Sequence, residues 1–171
     1  VGKESTFEFI EGVLEEVFEL FPSKYIHLGG DEAPRNRWKE CPLCQKRIKD
    51  ENLKDENELQ SYFTHRVEAI LAKHGRKIIG WDEVIHGGVN KSVTLMLWQD
   101  KNRQQVTSLG NDVILSPKLF CYMNYYQTKR PYTNKEGDLH CRTAVTLRKA
   151  YSLDPYEKLT PEQCKSIKGV Q

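Results

Sequence analysis

No apolar run in the chain reaches the roughly 20 consecutive residues needed to span a bilayer. Charge of one sign is also missing. The 26 Lys and Arg nearly balance the 24 Asp and Glu, for a net charge of +2, so neither a nucleic-acid footprint nor a basic membrane patch is expected. No GxGxxG or P-loop follows any apolar stretch, which weakens a nucleotide-binding reading. There is no internal repeat and no low-complexity tract. No secretory leader opens the chain, which begins at Val1, so a trimmed or subcloned start is expected. The five cysteines, Cys41, Cys44, Cys121, Cys141 and Cys164, are odd in number, and at least one stays unpaired within a single chain. Cys41-Pro-Leu-Cys44 is one CxxC, but a structural zinc site needs four ligands, and no second CxxC or HxxxH completes it. No metal and no cofactor are therefore expected. The pair reads as a local disulfide or as two plain thiols on a loop, which leaves the redox compartment open. Asn90-Lys91-Ser92 is a lone glycosylation sequon of the kind chance supplies.

What is present is an ordinary globular composition. The chain has 171 residues, 38% hydrophobic and 29% charged, enough for one domain by size. Ser5-Thr6-Phe7-Glu8 reads as a capping box opening a helix, with Ile10, Val13, Leu14, Val17 and Phe21 at helical spacing up to Pro22. Tyr25-Ile26-His27-Leu28, ended by Gly29-Gly30, reads as a buried strand. A polar loop with Pro34, Trp38 and the CxxC is expected next. The charged stretch 49–58 reads as the solvated lead-in to the long helix that follows. Asp55 then caps a long helix with Leu59, Tyr62, Phe63, Val67, Ile70 and Leu71 on one stripe, stopped by Gly75. Further strands are expected at 77–81, 92–99 and 112–116, with a helix over 100–109 closed by Gly110. Residues 117–150 read as irregular and aromatic. Thr160-Pro161-Glu162-Gln163 reads as a capping box, and 167–171 as a strand beginning.

Strands alternating with helices predict an α/β fold built of parallel units. The continuous apolar runs predict strands buried on both faces. An open doubly wound sheet and part of a (β/α)₈ barrel both fit. The barrel demands functional groups at several strand C-termini. The successive strands run out into Asp31-Glu32, Trp81-Asp82-Glu83, Trp98-Gln99-Asp100 and Tyr122-Met123-Asn124-Tyr125-Tyr126. Carboxylates and large aromatics at one rim suit a sugar, whose C–H faces stack on indole while its hydroxyls need polar partners. Core packing is the plainer role for a single Trp. Two Trp, each followed closely by Asp, favour a site.

The adjacent carboxylates Asp31 and Glu32 cannot share a face of an extended strand. Gly29-Gly30 relaxes that limit, because glycine accepts conformations other residues avoid. Asp31 is expected to keep phase with His27 and Tyr25, and Glu32 to swing over the mouth. Two neighbouring carboxyl groups push each other's pKa values apart, which is the outline of glycosidase chemistry. The bland alternative is that Asp31 caps the next helix and Glu32 is merely solvated. His65, His74, His86 and His140 carry no assignable role.

The ordered set His27-Leu28-Gly29-Gly30-Asp31-Glu32, "GWDE" (80–83), "LMLWQD" (95–100) and "SPKLFCYMNYYQ" (116–127) resembles family 20 glycoside hydrolases, the β-N-acetylhexosaminidases. The resemblance runs the length of the chain and implies a partial (β/α)₈ TIM barrel, roughly strands four to eight. It implies hydrolysis of terminal N-acetylhexosamine by a substrate-assisted retaining mechanism, in which the substrate's own acetamido oxygen attacks the anomeric carbon. By the same resemblance Glu32 is the general acid and later base. Asp31 orients the acetamido N–H and stabilises the oxazolinium ion, and Tyr122 donates to the acetamido oxygen. Trp81, Trp98, Asn124 and His27 are the substrate-binding set. Asn124 departs from the family, which usually carries Asp there, and this bears on affinity or on gluco versus galacto choice.

The resemblance further implies that residues 1–171 are a fragment of a single catalytic domain, beginning at the helix before the fourth strand and stopping within the eighth. Such a piece is expected to be inactive or weak alone, and to offer exposed barrel edges for a homo-oligomer. The implied partners are glycans ending in N-acetylglucosamine or N-acetylgalactosamine, with no nucleic acid and no membrane. The implied compartment is secreted, periplasmic or lysosomal. A non-catalytic carbohydrate-binding module is the rival reading, and it has no need of an acid at Glu32.

Overall fold

The computed structural model describes residues 1–127 and 144–171, so His140 and Cys141 lie outside the described residues. The chain divides into two compact units, Val1–Leu95 and Met96–Gln171. Among the described residues no helix is long and apolar enough to cross a membrane.

The first unit opens with α1 (Ser5–Leu20). Its expected capping box does not form. The N-cap is Glu4, without a side-chain cap bond, because the Glu4 carboxylate is drawn away to Arg47, at 2.9 Å, and to Arg66. The apolar stripe is only partly used. Phe7 and Leu14 are buried, whereas Val13 and Phe21 are exposed. Phe7 is instead the anchor, its ring centroid 6.1 Å from Tyr62 and 5.9 Å from Phe63. The Arg66 guanidinium lies 4.1 Å over it.

Strand β1 (Tyr25–Gly29) pairs in parallel with β2 (Lys77–Trp81). The register slips between His27 and Gly29, so Leu28 is a bulge. The loop expected between them is two helices, α2 (Asn36–Glu40) and α3 (Pro42–Asp50). The sequence hid them because α2 is short and polar; Pro42 sits at the first position of α3, where its missing N–H is harmless. Helix α4 (Glu56–Lys73) runs as expected. Asp55 accepts from the N–H groups of Asn57 at 2.8 Å and Glu58 at 3.0 Å, and Gly75 follows with φ +67°. Leu59, Val67, Ile70 and Leu71 are buried, together with Ile78 and Val84. A 3₁₀ turn (Asp82–Gly87) follows β2, and β3 (Thr94–Leu97), buried throughout, leads out of the unit.

In the second unit the expected helix over 100–109 is a 3₁₀ turn (Asp100–Asn102) joined to α5 (Arg103–Ser108). Strand β4 (Val113–Leu115) lies beside the end of β3, with the Ser116 N–H donating to the Leu97 carbonyl at 2.7 Å. Helices α6 (Lys118–Cys121) and α7 (Leu147–Tyr151) occupy part of the segment read as irregular. Helix α8 (Pro161–Cys164) carries the full capping box between Thr160 and Gln163. Strand β5 (Ile167–Val170) pairs in parallel with β4. The expectation of two buried faces holds for β3 but not for β1 or β5, whose residues alternate between partial burial and exposure.

Candidate active site

In the first unit β1 ends in Gly29 and Gly30, both with positive φ, +78° and +97°. Gly30 is required twice over. Its φ suits glycine, and a Cβ there would stand 2.5 Å from Val84 Cγ1. Val84 comes from the turn after β2, so the two strand ends are wedged together at this point. The buried Gln60 of α4 donates from Nε2 to the Gly30 carbonyl at 2.8 Å, and its Oε1 accepts from Arg35. Beneath the turn is an apolar cavity of about 140 Å³ lined by residues that include Leu28, Ala33, Trp38 and Phe63.

This scaffold delivers Asp31 and Glu32 to solvent. Glu32 has φ 45°, a left-handed conformation that costs a non-glycine residue of order 1–3 kcal/mol and clusters at functional sites. Asp31 does not cap a helix, since the N-cap of α2 is Arg35. The simple strand alternation expected from Tyr25 through His27 to Asp31 is broken by the bulge at Leu28 and by the two glycines.

His27 and Trp81, placed on neighbouring strands, meet edge to face with centroids 5.1 Å apart. The His27 Nδ1 accepts from the Gly29 N–H at 3.0 Å, which ties the ring to the glycine turn. Desolvation holds the imidazole below its ordinary pKa, partly offset by the Asp31 carboxylate. His27, Asp31 and Trp81 are therefore one local cluster. Asp82, which heads the following 3₁₀ turn, is buried.

The second unit presents the other expected residues. Trp98 leaves β3, and Lys118 Nζ stands 4.7 Å over its ring. Tyr122 follows α6 as its C-cap, with its ring centroid 6.0 Å from that of Tyr125. Asn124 sits exposed in the turn between them. Asp100, expected at the rim, is engaged structurally: it pairs with the buried Arg103 at 2.6 Å. Arg103 in turn donates to the Asp154 carbonyl at 2.6 Å.

Gln60, Arg35 and Val84 were not singled out from the sequence. The available signal was Gln60 itself, a polar residue directly beside Leu59 on the buried stripe of α4.

Comparison with known proteins gives a consistent picture. The whole chain, residues 1–171, matches the model of glycosyl hydrolase family 20, catalytic domain. It is 48% identical over 128 residues to a beta-hexosaminidase of Porphyromonas gingivalis, covering 74% of this chain and 16% of that protein. It is 34% identical over 171 residues to a beta-hexosaminidase of Vibrio furnissii, covering 97% of this chain and 27% of that protein. Among solved structures, it resembles the family 20 exo β-N-acetylglucosaminidase of Vibrio harveyi in complex with N-acetylglucosamine, with TM-score 0.86 and 32% identity. That match covers 99% of this chain and 27% of the other. The chain thus spans about a quarter or less of these relatives. Its architecture is α/β with parallel strands, matching part of their TIM barrel.

Proposed function

The chain belongs to glycosyl hydrolase family 20, and on that premise we propose that residues 1–171 are part of one catalytic domain that removes terminal N-acetylhexosamine from β-linked glycans by substrate-assisted retention. Glu32 protonates the leaving oxygen and then activates water. Asp31 holds the acetamido N–H and balances the positive oxazolinium ion, leaving the acetamido oxygen free to attack. Tyr122 donates to that oxygen. Trp81 and Trp98 wall the sugar, and His27 and Asn124 contribute to binding it.

The observation that carries this reading is the pair Asp31-Glu32, exposed at the C-terminal end of β1. Glu32 there is held in a left-handed conformation of the kind that clusters at functional sites. Adjacent carboxylates are useful when one serves the leaving group and its neighbour the internal nucleophile.

The test is release of para-nitrophenol from its N-acetyl-β-glucosaminide by the catalytic domain containing this chain, with and without Glu32→Gln. The substitution is expected to lower turnover about 10²–10⁴-fold, the range of general acid–base catalysis. An unchanged rate removes Glu32 from the mechanism. Sugar binding with no turnover in the parent replaces the enzyme by a carbohydrate-binding module.

Self-association along a strand edge is part of the proposal. It is supported by β1 being bonded on one side alone, to β2, among the described residues. A strictly monomeric species across a dilution series by light scattering overturns it.

A further inference from the structure

The CxxC does not lie on a loop. Cys41 is the N-cap of α3, with extended backbone (φ −82°, ψ 113°), and Cys44 lies in the helix's first turn. The two thiols stand close enough to hydrogen-bond to each other, which is the proximity a disulfide needs. Both thiols are free, and they differ in access. Cys41 is half-buried, whereas Cys44 is 3% exposed. The Gly2 backbone packs against the 43–44 peptide, and its N–H donates to the Cys44 sulfur.

The environment is just as asymmetric. Cys41 sits at the positive end of α3, a nine-residue helix. Interaction first with the backbone N–H of Cys44, then with the Cys44 thiol, holds the Cys41 thiol below its ordinary pKa. Burial, together with the Cys41 sulfur, pushes Cys44 up. Among the described residues no group of three His, Cys, Asp or Glu is placed to hold a metal ion.

We propose that Cys41 and Cys44 form a reversible thiol–disulfide exchange site for low-molecular-weight disulfides, with Cys41 as the attacking thiol and Cys44 as the resolving one. The Cys41 thiolate attacks one sulfur of the small disulfide. That S–S bond breaks, one thiolate leaves, and a mixed disulfide remains on Cys41. Cys44 then loses its proton to solvent and attacks Cys41 Sγ, and the second small thiolate departs. The protein gives up two electrons and two protons, and one disulfide becomes two thiols. The site is independent of glycan hydrolysis, since it uses neither Asp31 nor Glu32.

The test needs no variant to begin. The protein is equilibrated with graded ratios of reduced and oxidised glutathione, trapped by alkylation, and mapped by peptide mass. The peptide carrying Cys41 and Cys44 is expected to lose two hydrogens and refuse the alkyl group in oxidised buffer, and to recover both with dithiothreitol. In the reduced protein, Cys41 is expected to alkylate faster than Cys121 at neutral pH, because its lowered pKa leaves more of it as thiolate. Cys121 is an internal reference, its thiol raised by burial and by Asp100. With Cys44→Ser, or Cys44→Ala if the first fails to fold, the reaction is expected to stop at glutathione on Cys41. A pair that stays alkylatable in oxidised glutathione overturns the proposal, and so does a disulfide from either residue to another cysteine. Glutathione accumulating on Cys44 in Cys41→Ser, but not on Cys41 in the Cys44 variants, overturns the assigned roles.

Discussion

The side-chain amide of Gln60 donates to the carbonyl of Gly30 at 2.8 Å, so a helix residue 30 positions away in sequence holds the peptide just before Asp31. Gln60 is buried, and its oxygen is satisfied by Arg35. Gln60→Leu keeps the volume but strands the Gly30 carbonyl and the Arg35 donor. A loss of about 1–3 kcal/mol is expected by chemical denaturation. In the complete domain kcat should fall more than KM changes, because the turn that carries the carboxylates loosens.

Gly30→Ala should be more damaging than an ordinary glycine replacement, since it meets both a φ of +97° and Val84 Cγ1 at 2.5 Å. Pairing it with Val84→Ala removes the clash but not the backbone strain, which costs of order 1–3 kcal/mol. Thermal denaturation of the two single variants and the double variant separates the terms. A double variant as stable as Val84→Ala alone would show that φ at residue 30 is unstrained for alanine.

Glu32→Gly should abolish turnover while leaving stability unchanged or raising it by up to about 1 kcal/mol, because glycine occupies φ 45° without the penalty a side chain brings. Denaturation midpoints beside nitrophenol release check both halves. A clear drop in stability would mean that the Glu32 side chain holds the turn rather than serving chemistry.

Asp55→Ala should destabilise the first unit by about 0.5–2 kcal/mol, the usual range for losing an N-cap. The Asp55 carboxyl is depressed from 3.8, first by the Glu58 N–H and then by Asn57. A depressed carboxyl stabilises the fold above its unfolded value. That contribution is lost as pH falls from 3.8 through the lower folded value, and Asp55→Ala should flatten this part of the acid-stability curve.

His27 should titrate below 6.5, because desolvation favours its neutral form. The stability associated with the neutral ring is fully present above 6.5 and is lost as pH falls from 6.5 through the lower folded value, because the unfolded chain takes up the proton first. Trp81→Ala exposes the ring and should move the His27 titration, followed by NMR, back toward 6.5. An unmoved titration would place the desolvation elsewhere than at the ring contact 5.1 Å away.

Much of this molecule was legible along the chain, because its cues are local. Asp55 and Gly75 bracket α4, and Thr160 with Gln163 opens α8, through hydrogen bonds spanning at most a few residues. Apolar runs located β1 to β5 to within a residue or two at most ends. The failures share a cause. Ser5 and Glu8 have the spelling of a capping box, yet Glu4 and its two arginines, 43 and 62 positions away, decide how α1 begins. The CxxC segment looked like a loop because five- and nine-residue helices carry too little periodicity to be seen.

The sequence by itself determined that two carboxylates follow two glycines at the end of an apolar strand, and that indoles end the next two. Tertiary structure decided what those residues can do. The bulge at Leu28, the Val84 wedge, the Gln60 clamp and the approach of Trp81 to His27 all depend on contacts between residues 30 to 54 positions apart. Local propensity carries no information about such contacts, since they exist only once parallel strands have been paired and the helix between them packed. The left-handed turn at Glu32 survives because that packing holds it, and no property of glutamate would have chosen it.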